Sequence, residues 1–258
     1  MSCSGENWLL ENTFIHIQGI GPRGEKELWK RGIIRWKDFL ESPGTIFSRA
    51  KDEFVRSKLE ESIVHRSDAG YFAKRLPASE LWRLFGETGF KTVYLDIETS
   101  GSYHGAGDIT VIGLYDGHTV RSFVNGKNLE EFEEEICGYD LLVTFNGTCF
   151  DVPVIRRWFR HTTFPPAHID LRFLLKRLGL RGGLKAIERQ HGIRRSLTVE
   201  GLDGYDAVML WEAYQWGDEA SLERLINYNS ADILSLKILL EFAYGRLRRE
   251  LLGSKPLF

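Results

Sequence analysis

The spacing of apolar residues changes character near Gly89. Before that point the pattern is helical and often interrupted. Phe14 to Ile17 lead into Gly19-Ile20-Gly21-Pro22. A helix is predicted from Pro22 to about Arg31, because proline is tolerated at a first helical position, and Gly32 should end it. Ile33 to Leu40 and Phe54 to Val64 continue the helical period, with Phe54, Leu59 and Ile63 as the expected inward positions.

Beyond Gly89 the period shortens to two. Thr92 to Ile97 alternates, with Val93, Leu95 and Ile97 on one side, and reads as a strand. Ile109 to Tyr115 and Thr119 to Val124 read as two more, joined by the turn signal Asp116-Gly117. Asn128, with Glu131 three residues on, is expected to cap an acidic helix running to about Cys137. Leu141 to Phe145 is a continuous apolar run suited to a strand buried on both faces. Helices are then predicted at about 150–160, 170–178, 183–191, 205–216 and 219–249, with a short fifth strand near His168-Ile169. This order implies a mixed α/β sheet flanked by helices over residues 89–258, preceded by a small helical domain over residues 1–88.

Composition narrows the class without naming a function. The 258 residues are 43% hydrophobic and 27% charged, as in a folded protein, and the net charge of -2 gives no general basic signature. Cys3, Cys137 and Cys149 have no paired spacing, which argues against a disulfide scaffold and a zinc site and fits a cytoplasmic location. Met1 to Leu10 lacks the pattern of a signal peptide, and no apolar run reaches the ~20 residues of a membrane span. No membrane association is expected, and the sequence leaves any protein partner open.

The acidic residues carry more information. Asp96 and Glu98 close the first strand two residues apart, so both side chains leave the same face. Taken alone, such a pair is usually solvated. Asp151 follows the fourth strand within Asn146-Gly147-Thr148-Cys149-Phe150-Asp151, where it could simply cap a helix. Tyr228 and Asp232 are four apart on the last helix and therefore share a face. A tyrosine at the core boundary beside a surface aspartate is the plain alternative.

In this order, D-x-E, N-x4-D and Y-x3-D resemble the three motifs of the DEDD exonucleases, and the tyrosine marks the DEDDy branch. The resemblance covers about residues 90 to 245 and extends to Asp170–Ile193, which is similar to the segment between the second and third motifs of bacterial members. The layout resembles the YprB-like, ribonuclease H-like exonucleases. That resemblance implies a ribonuclease H-like five-stranded sheet and 3′→5′ removal of nucleotides from nucleic acid with a free 3′ end. It also implies two divalent ions, Mg²⁺ or Mn²⁺, held by Asp96, Glu98, Asp151 and Asp232, with Asp96 bridging. Tyr228 would orient the attacking water, since a tyrosine of pKa near ~10 is a poor base at neutral pH. Glu98 is a second candidate for that role, Asn146 a candidate substrate contact, and Asp170 a structural helix cap.

The donor set suits the chemistry. Phosphodiester hydrolysis needs an acidic bound water and a stabilised leaving oxygen, which two ions roughly 3.5–4 Å apart supply. Mg²⁺ takes oxygen ligands, and Mn²⁺ accepts the same set. Four clustered carboxylates would repel one another without cations.

Residues 151–200 hold eleven Lys or Arg against four Asp or Glu, including Arg156, Arg157 and Lys185 as candidate phosphate contacts. A solvated helical surface would explain the same charges. Gly19-Ile20-Gly21-Pro22-Arg23-Gly24 resembles a helix-hairpin-helix, a motif whose exposed backbone N–H groups, here at Gly19 and Gly21, bind phosphate. Glu25 departs from that pattern, occupying a place usually held by a small residue. Single-stranded DNA is the favoured substrate, with RNA open. A structure-specific endonuclease on the same fold, or a silent nucleic-acid-binding module, are the competing readings. A dinucleotide binder is disfavoured because no G-x-G-x-x-G follows the first strand.

Overall fold

A computed structural model describes residues 9–101 and 108–253, so Cys3 and His104 lie outside the described residues. The Cα packing divides the chain into two units, one reaching Phe90 and the other Lys91–Leu251.

The first unit contains a 3-10 turn at Leu10–Asn12, then helices α1 (Pro22–Lys30), α2 (Trp36–Leu40), α3 (Arg49–Val64) and α4 (Ala69–Ala73), and a 3-10 stretch at Ala78–Leu84. Proline stands first in α1, as the sequence indicates. Helix α3 begins five residues before the apolar run suggests, because Ser48 caps it by accepting from Lys51 N. Its inward face also differs from expectation. Asp52, Val55, Leu59 and Ser62 are buried, whereas Phe54 and Ile63 are exposed. The stripe is set by Asp52, whose carboxylate accepts from Ile46 N at 2.7 Å and Phe47 N at 2.9 Å, so a polar residue takes a core position.

The second unit is a five-stranded mixed sheet in the order β3-β2-β1-β4-β5. Its strands are β1 (Thr92–Thr99), β2 (Ile109–Tyr115), β3 (Val120–Val124), β4 (Leu141–Thr144) and β5 (Ala167–Asp170). The first three form an antiparallel meander, while β4 pairs parallel with both β1 and β5. The turn between β2 and β3 is held by Asp116, whose Oδ1 accepts from His118 N and Thr119 N, with Gly117 at φ +96°. Every residue of β4 is buried, which accounts for its unbroken apolar run.

Both faces of the sheet are covered. Val93, Leu95 and Ile97 pack with Phe132 and Ile136 of α5 (Phe132–Ile136) and with Val154 and Ile155 of α6 (Asp151–Trp158). On the opposite face Val111 packs with Ala207 and Trp211 of α9 (Gly204–Gln215) and with Leu222, Leu225 and Tyr228 of α10 (Glu219–Leu252). Helices α7 (Leu171–Arg177) and α8 (Leu184–Gln190) lie between α6 and α9 in sequence. Burying each such Leu, Val or Phe contributes ~1.5–3 kcal/mol, so the two-sided core dominates the stability of this unit. The helix expected after Asn128 is broken into a 3-10 turn and the short α5. Asn128 does not cap it. Its amide instead accepts from Val124 N at 2.8 Å and donates to Ser122 O at 3.2 Å, completing backbone bonds at the end of β3.

Candidate metal centre

Alternation along β1 sends Asp96 and Glu98 to the face covered by α10, opposite to Leu95 and Ile97. Asp232 comes from α10 above them. Carboxylate oxygens of Asp96, Glu98 and Asp232 lie within 4.8 Å of one another. Glu98 and Asp232 are buried, and Asp96 keeps partial contact with solvent.

The close seating of α10 over β1 depends on Gly113 of β2, which pairs with Asp96 in the sheet. A Cβ on Gly113 would stand 1.9 Å from Asn229 Oδ1. The absence of that carbon lets Asn229, fully buried, donate from Nδ2 to Asp96 O at 3.2 Å and Asp96 Oδ2 at 3.0 Å. Asn229 Oδ1 meets no donor among the described residues.

Asp151 is the first residue of α6, beyond the end of β4. It is buried and accepts from Ile97 N at 3.1 Å, which fixes it beside the end of β1. It stands outside the tight triad, yet its charge acts on Asp96. Asp170 caps α7 by accepting from Arg172 N, and also accepts from Asn146 N at 2.8 Å and Thr148 N at 3.0 Å. It therefore shapes the loop carrying Asn146, a non-glycine residue at φ +69°. The Asn146 side-chain oxygen accepts from Arg172.

Tyr228 is buried beside the triad, and its hydroxyl accepts from Lys185 Nζ. Lys185 also lies 4.0 Å from Asp232 and 4.4 Å from the tyrosine ring centre. Arg195 donates to Asp232 Oδ1, and binds Glu188 through Nε at 2.8 Å and Nη2 at 2.7 Å.

These surroundings disfavour ionised carboxyl groups. Burial, then the charges of Asp232, Asp151 and Glu98, holds the Asp96 carboxyl well above the usual range. Burial and the Asp232 charge push Glu98 up to about 8. Asp151 rises to about 7, mainly by burial and against the Ile97 N–H bond that favours its anion. Asp232 is also raised by burial, with Arg195 and Lys185 opposing. Burial and the neighbouring carboxylates keep the Tyr228 phenol above its ordinary value, so it remains protonated. A cation placed among the carboxylates would relieve their repulsion, and an all-oxygen donor set fits a hard divalent ion.

The comparisons agree with this architecture. The family profile described as RNase_H superfamily matches residues 93–244, from β1 to well inside α10. The chain belongs to the RNase H superfamily. Among solved structures, a family B DNA polymerase from the hyperthermophilic archaeon Pyrobaculum calidifontis is similar with a TM-score of 0.50 at 14% identity. The match covers 59% of this chain and 24% of the polymerase, so this chain corresponds to about a quarter of that protein. The Aedes aegypti Nibbler EXO domain aligns at 12% identity over 64% of this chain and 87% of that one, with a TM-score of 0.37. The comparison with curated proteins returns no match.

Outside the acidic cluster, Arg156 and Arg157 are exposed on α6, as are the remaining basic residues of 151–200 except Lys185 and Arg195. Trp158 at the end of α6 is 38% exposed, while the following Phe159 is buried. In the first unit Gly19 has φ +84° and Gly21 is the residue before α1. Glu25 is a buried residue of α1. It turns inward, accepts from Phe14 N at 2.7 Å and Ile15 N at 3.3 Å, and pairs with Arg83.

Four contributors to the RNase H centre carry little signal in sequence. Asn229 falls three residues before Asp232 and four after Leu225, so helical spacing alone could have flagged it. Gly113 is one strand glycine among 26 glycines. Glu188 and Arg195 are seven apart across a loop, and nothing in their types distinguishes them from surface charges. Among the described residues, no helix is long and apolar enough to cross a membrane.

Proposed function

We propose that this RNase H domain is a metal-dependent 3′→5′ exonuclease of the DEDDy type, releasing nucleotides from the 3′ end of nucleic acid, with single-stranded DNA favoured over RNA. The observation that carries the reading is the convergence of Asp96, Glu98 and Asp232 oxygens within 4.8 Å, with Tyr228 against the same cluster. Asp96, Glu98, Asp232 and the adjacent Asp151 would hold two divalent ions, Mg²⁺ or Mn²⁺. Such ions supply Lewis acidity at the attacking water and at the leaving oxygen.

The remaining work falls to the chain's own groups. Because Lys185 donates to the Tyr228 oxygen, the phenolic proton is left free to donate to a water held near the scissile phosphorus. With its pKa raised, Tyr228 orients that water and does not remove its proton. Glu98 is placed to hold the same water or the terminal 3′ hydroxyl. The Lys185 ammonium faces both Tyr228 and Asp232, where it can compensate charge building on the phosphate. Asn229 fixes Asp96, the proposed bridging ligand, through two hydrogen bonds. The exposed arginines of α6, Arg156 and Arg157, would track the strand's phosphates.

Incubation of the protein with 5′-labelled single-stranded DNA and RNA tests this, with Mn²⁺, Mg²⁺ or EDTA and beside an Asp96→Ala variant. A metal-dependent ladder shortening from the 3′ end, absent in the variant, is expected. Internal cuts would favour the endonuclease, and binding without degradation of either polymer would favour the silent module.

A further inference from the structure

Arg195 is an unusual neighbour for a candidate metal ligand. Its side chain is 8% exposed and lies between two buried carboxylates, Glu188 and Asp232. Glu188 engages Nε and Nη2 in a two-point pair, which fixes the plane of the guanidinium. The same Nη2 reaches Asp232 Oδ1. The remaining nitrogen, Nη1, is buried and has no hydrogen-bond partner among the described residues. The guanidinium thus forms one contact with the candidate centre and leaves a donor unused.

Charge balance gives that contact a meaning. Asp96, Glu98, Asp151 and Asp232 gather in a buried space, where the charge of Asp232 opposes ionisation of the other three. The cations closest to Asp232 are Arg195 and the more distant Lys185. A divalent ion bound through Asp232 would bring a second, stronger positive charge up to the guanidinium. The two cations would repel at short range in a poorly screened site. Arg195 itself lines a groove of about 580 Å³, whose charged lining includes Lys185, Arg189 and Arg194 but also Glu188, Glu200 and Asp203. It offers the side chain a solvated alternative position.

We propose that Arg195 is a cation-exchange residue: its guanidinium stands in for a metal ion at Asp232, and divalent-ion binding there displaces it towards the neighbouring groove, where Glu200 and Asp203 can receive it. Glu188 is the positioning partner that holds Arg195 on Asp232. This inference rests on the metal-dependent reading above and adds the order of events. The Asp232 position fills last, against competition from the protein's own cation. Removing that competitor must tighten ion binding, because the ion no longer has to break the Arg195–Asp232 contact.

Calorimetric titration of Mn²⁺ into the metal-stripped full chain tests the idea without any turnover. Arg195→Gln should bind Mn²⁺ about tenfold more tightly than the parent, which corresponds to ~1.4 kcal/mol. Because that variant leaves Glu188 buried without its partner, the charge-balanced double variant Glu188→Gln/Arg195→Met is measured beside it and should show the same tightening. Arg194→Gln, an equal charge change on the exposed side of the groove, should leave the affinity within about twofold, since exposed charges are screened. In EDTA, Arg195→Gln should melt at a lower temperature and gain more from added Mn²⁺ than the parent does. Unchanged or weaker Mn²⁺ binding in both Arg195 variants overturns the exchange, as does equal tightening in Arg194→Gln. Failure of every form, parent included, to take up Mn²⁺ overturns the metal reading together with the exchange.

Discussion

Each unit of the chain buries acidic side chains, but it treats them differently. In the first unit Glu25 accepts from two backbone N–H groups, and Arg83 Nη1 lies 2.9 Å from both its oxygens. Arg83 is itself fully buried and turns its Nε to Glu80 at 2.7 Å. Glu87 is similarly met by Leu10 N at 2.8 Å and Arg66 at 3.5 Å. In the RNase H unit the carboxylates of Asp96, Glu98 and Asp232 face one another, and each shifts the ionisation of a neighbour. Burial raises carboxyl pKa values in both places, pushing Glu87 to about 7 and Glu98 to about 8. What separates the two is the direction of the donors. The first-unit acids are matched by donors of the chain itself, whereas the oxygens of Asp96, Glu98 and Asp232 also converge on one another, an arrangement that fits a divalent cation.

The comparison breaks most directly at Asp96. Asp96→Asn should lower hydrolysis about 10³-fold or more, the loss expected when an ion ligand is removed, while the melting temperature in EDTA does not fall. A variant that unfolds instead would put Asp96 in the same structural class as Glu25. The counterpart is Arg83→Ala, which leaves Glu25 buried and uncompensated. It should cost ~3–5 kcal/mol in urea unfolding, an effect on stability with no direct effect on the carboxylate centre.

Gly113→Ala sharpens the link between packing and the site. The added carbon would stand 1.9 Å from Asn229 Oδ1, so Asn229 must move and release Asp96. Activity should fall about 10²-fold, since small misplacements of a reacting constellation are costly. Stability should fall by ~1–3 kcal/mol, as for other overpacked positions. Retained activity in a folded variant would show that Asn229 does not position Asp96. Tyr228→Phe keeps the ring and removes the hydroxyl. Steady-state rates should fall by ~10–100-fold with little change in ion affinity, the signature of an orienting group.

The smallest effect is on the pH dependence of stability. Glu98 and Asp151 have folded-state values of about 8 and 7, above the ~4 of an unfolded carboxyl. The folded state then holds more protons, so stability falls as pH rises towards those values and levels off above them. Buried His16, lowered to about 3, titrates in the opposite sense only below about pH 6.5, the value of a free histidine. Between about pH 6.5 and 8.5 the melting temperature in EDTA should therefore decline. Mn²⁺ should flatten that slope, and Glu87→Gln should remove only the share that Glu87 of the first unit contributes. A slope indifferent to Mn²⁺ would mean that the RNase H carboxylates are not relieved by a cation.

Much of the fold was legible from apolar spacing because periods of two and of 3.6 report directly which face is covered. β1, β2, β4 and the helix starting at Pro22 follow that rule. Phe54 and Ile63 did not, because Asp52 bonds the preceding loop and rotates a polar residue inward. Asn128 did not, because its amide serves β3 instead of a helix end. Capping side chains have several competing partners, and local sequence does not choose among them.

By itself, the sequence determined the strand that carries Asp96 and Glu98, the turn before Asp151, and the helix face shared by Tyr228 and Asp232. These are local relations, fixed by backbone periodicity and short spacing. Only the tertiary structure decided that Asp232 comes down onto the β1 pair, that Gly113 leaves room for Asn229 to hold Asp96, and that Arg195, not Arg194, is drawn inward between Glu188 and Asp232. Those relations join residues far apart in the chain, Asn229 and Asp96 being separated by 133 positions. They depend on how closely helix and sheet approach, a property of the packed core that no single segment encodes.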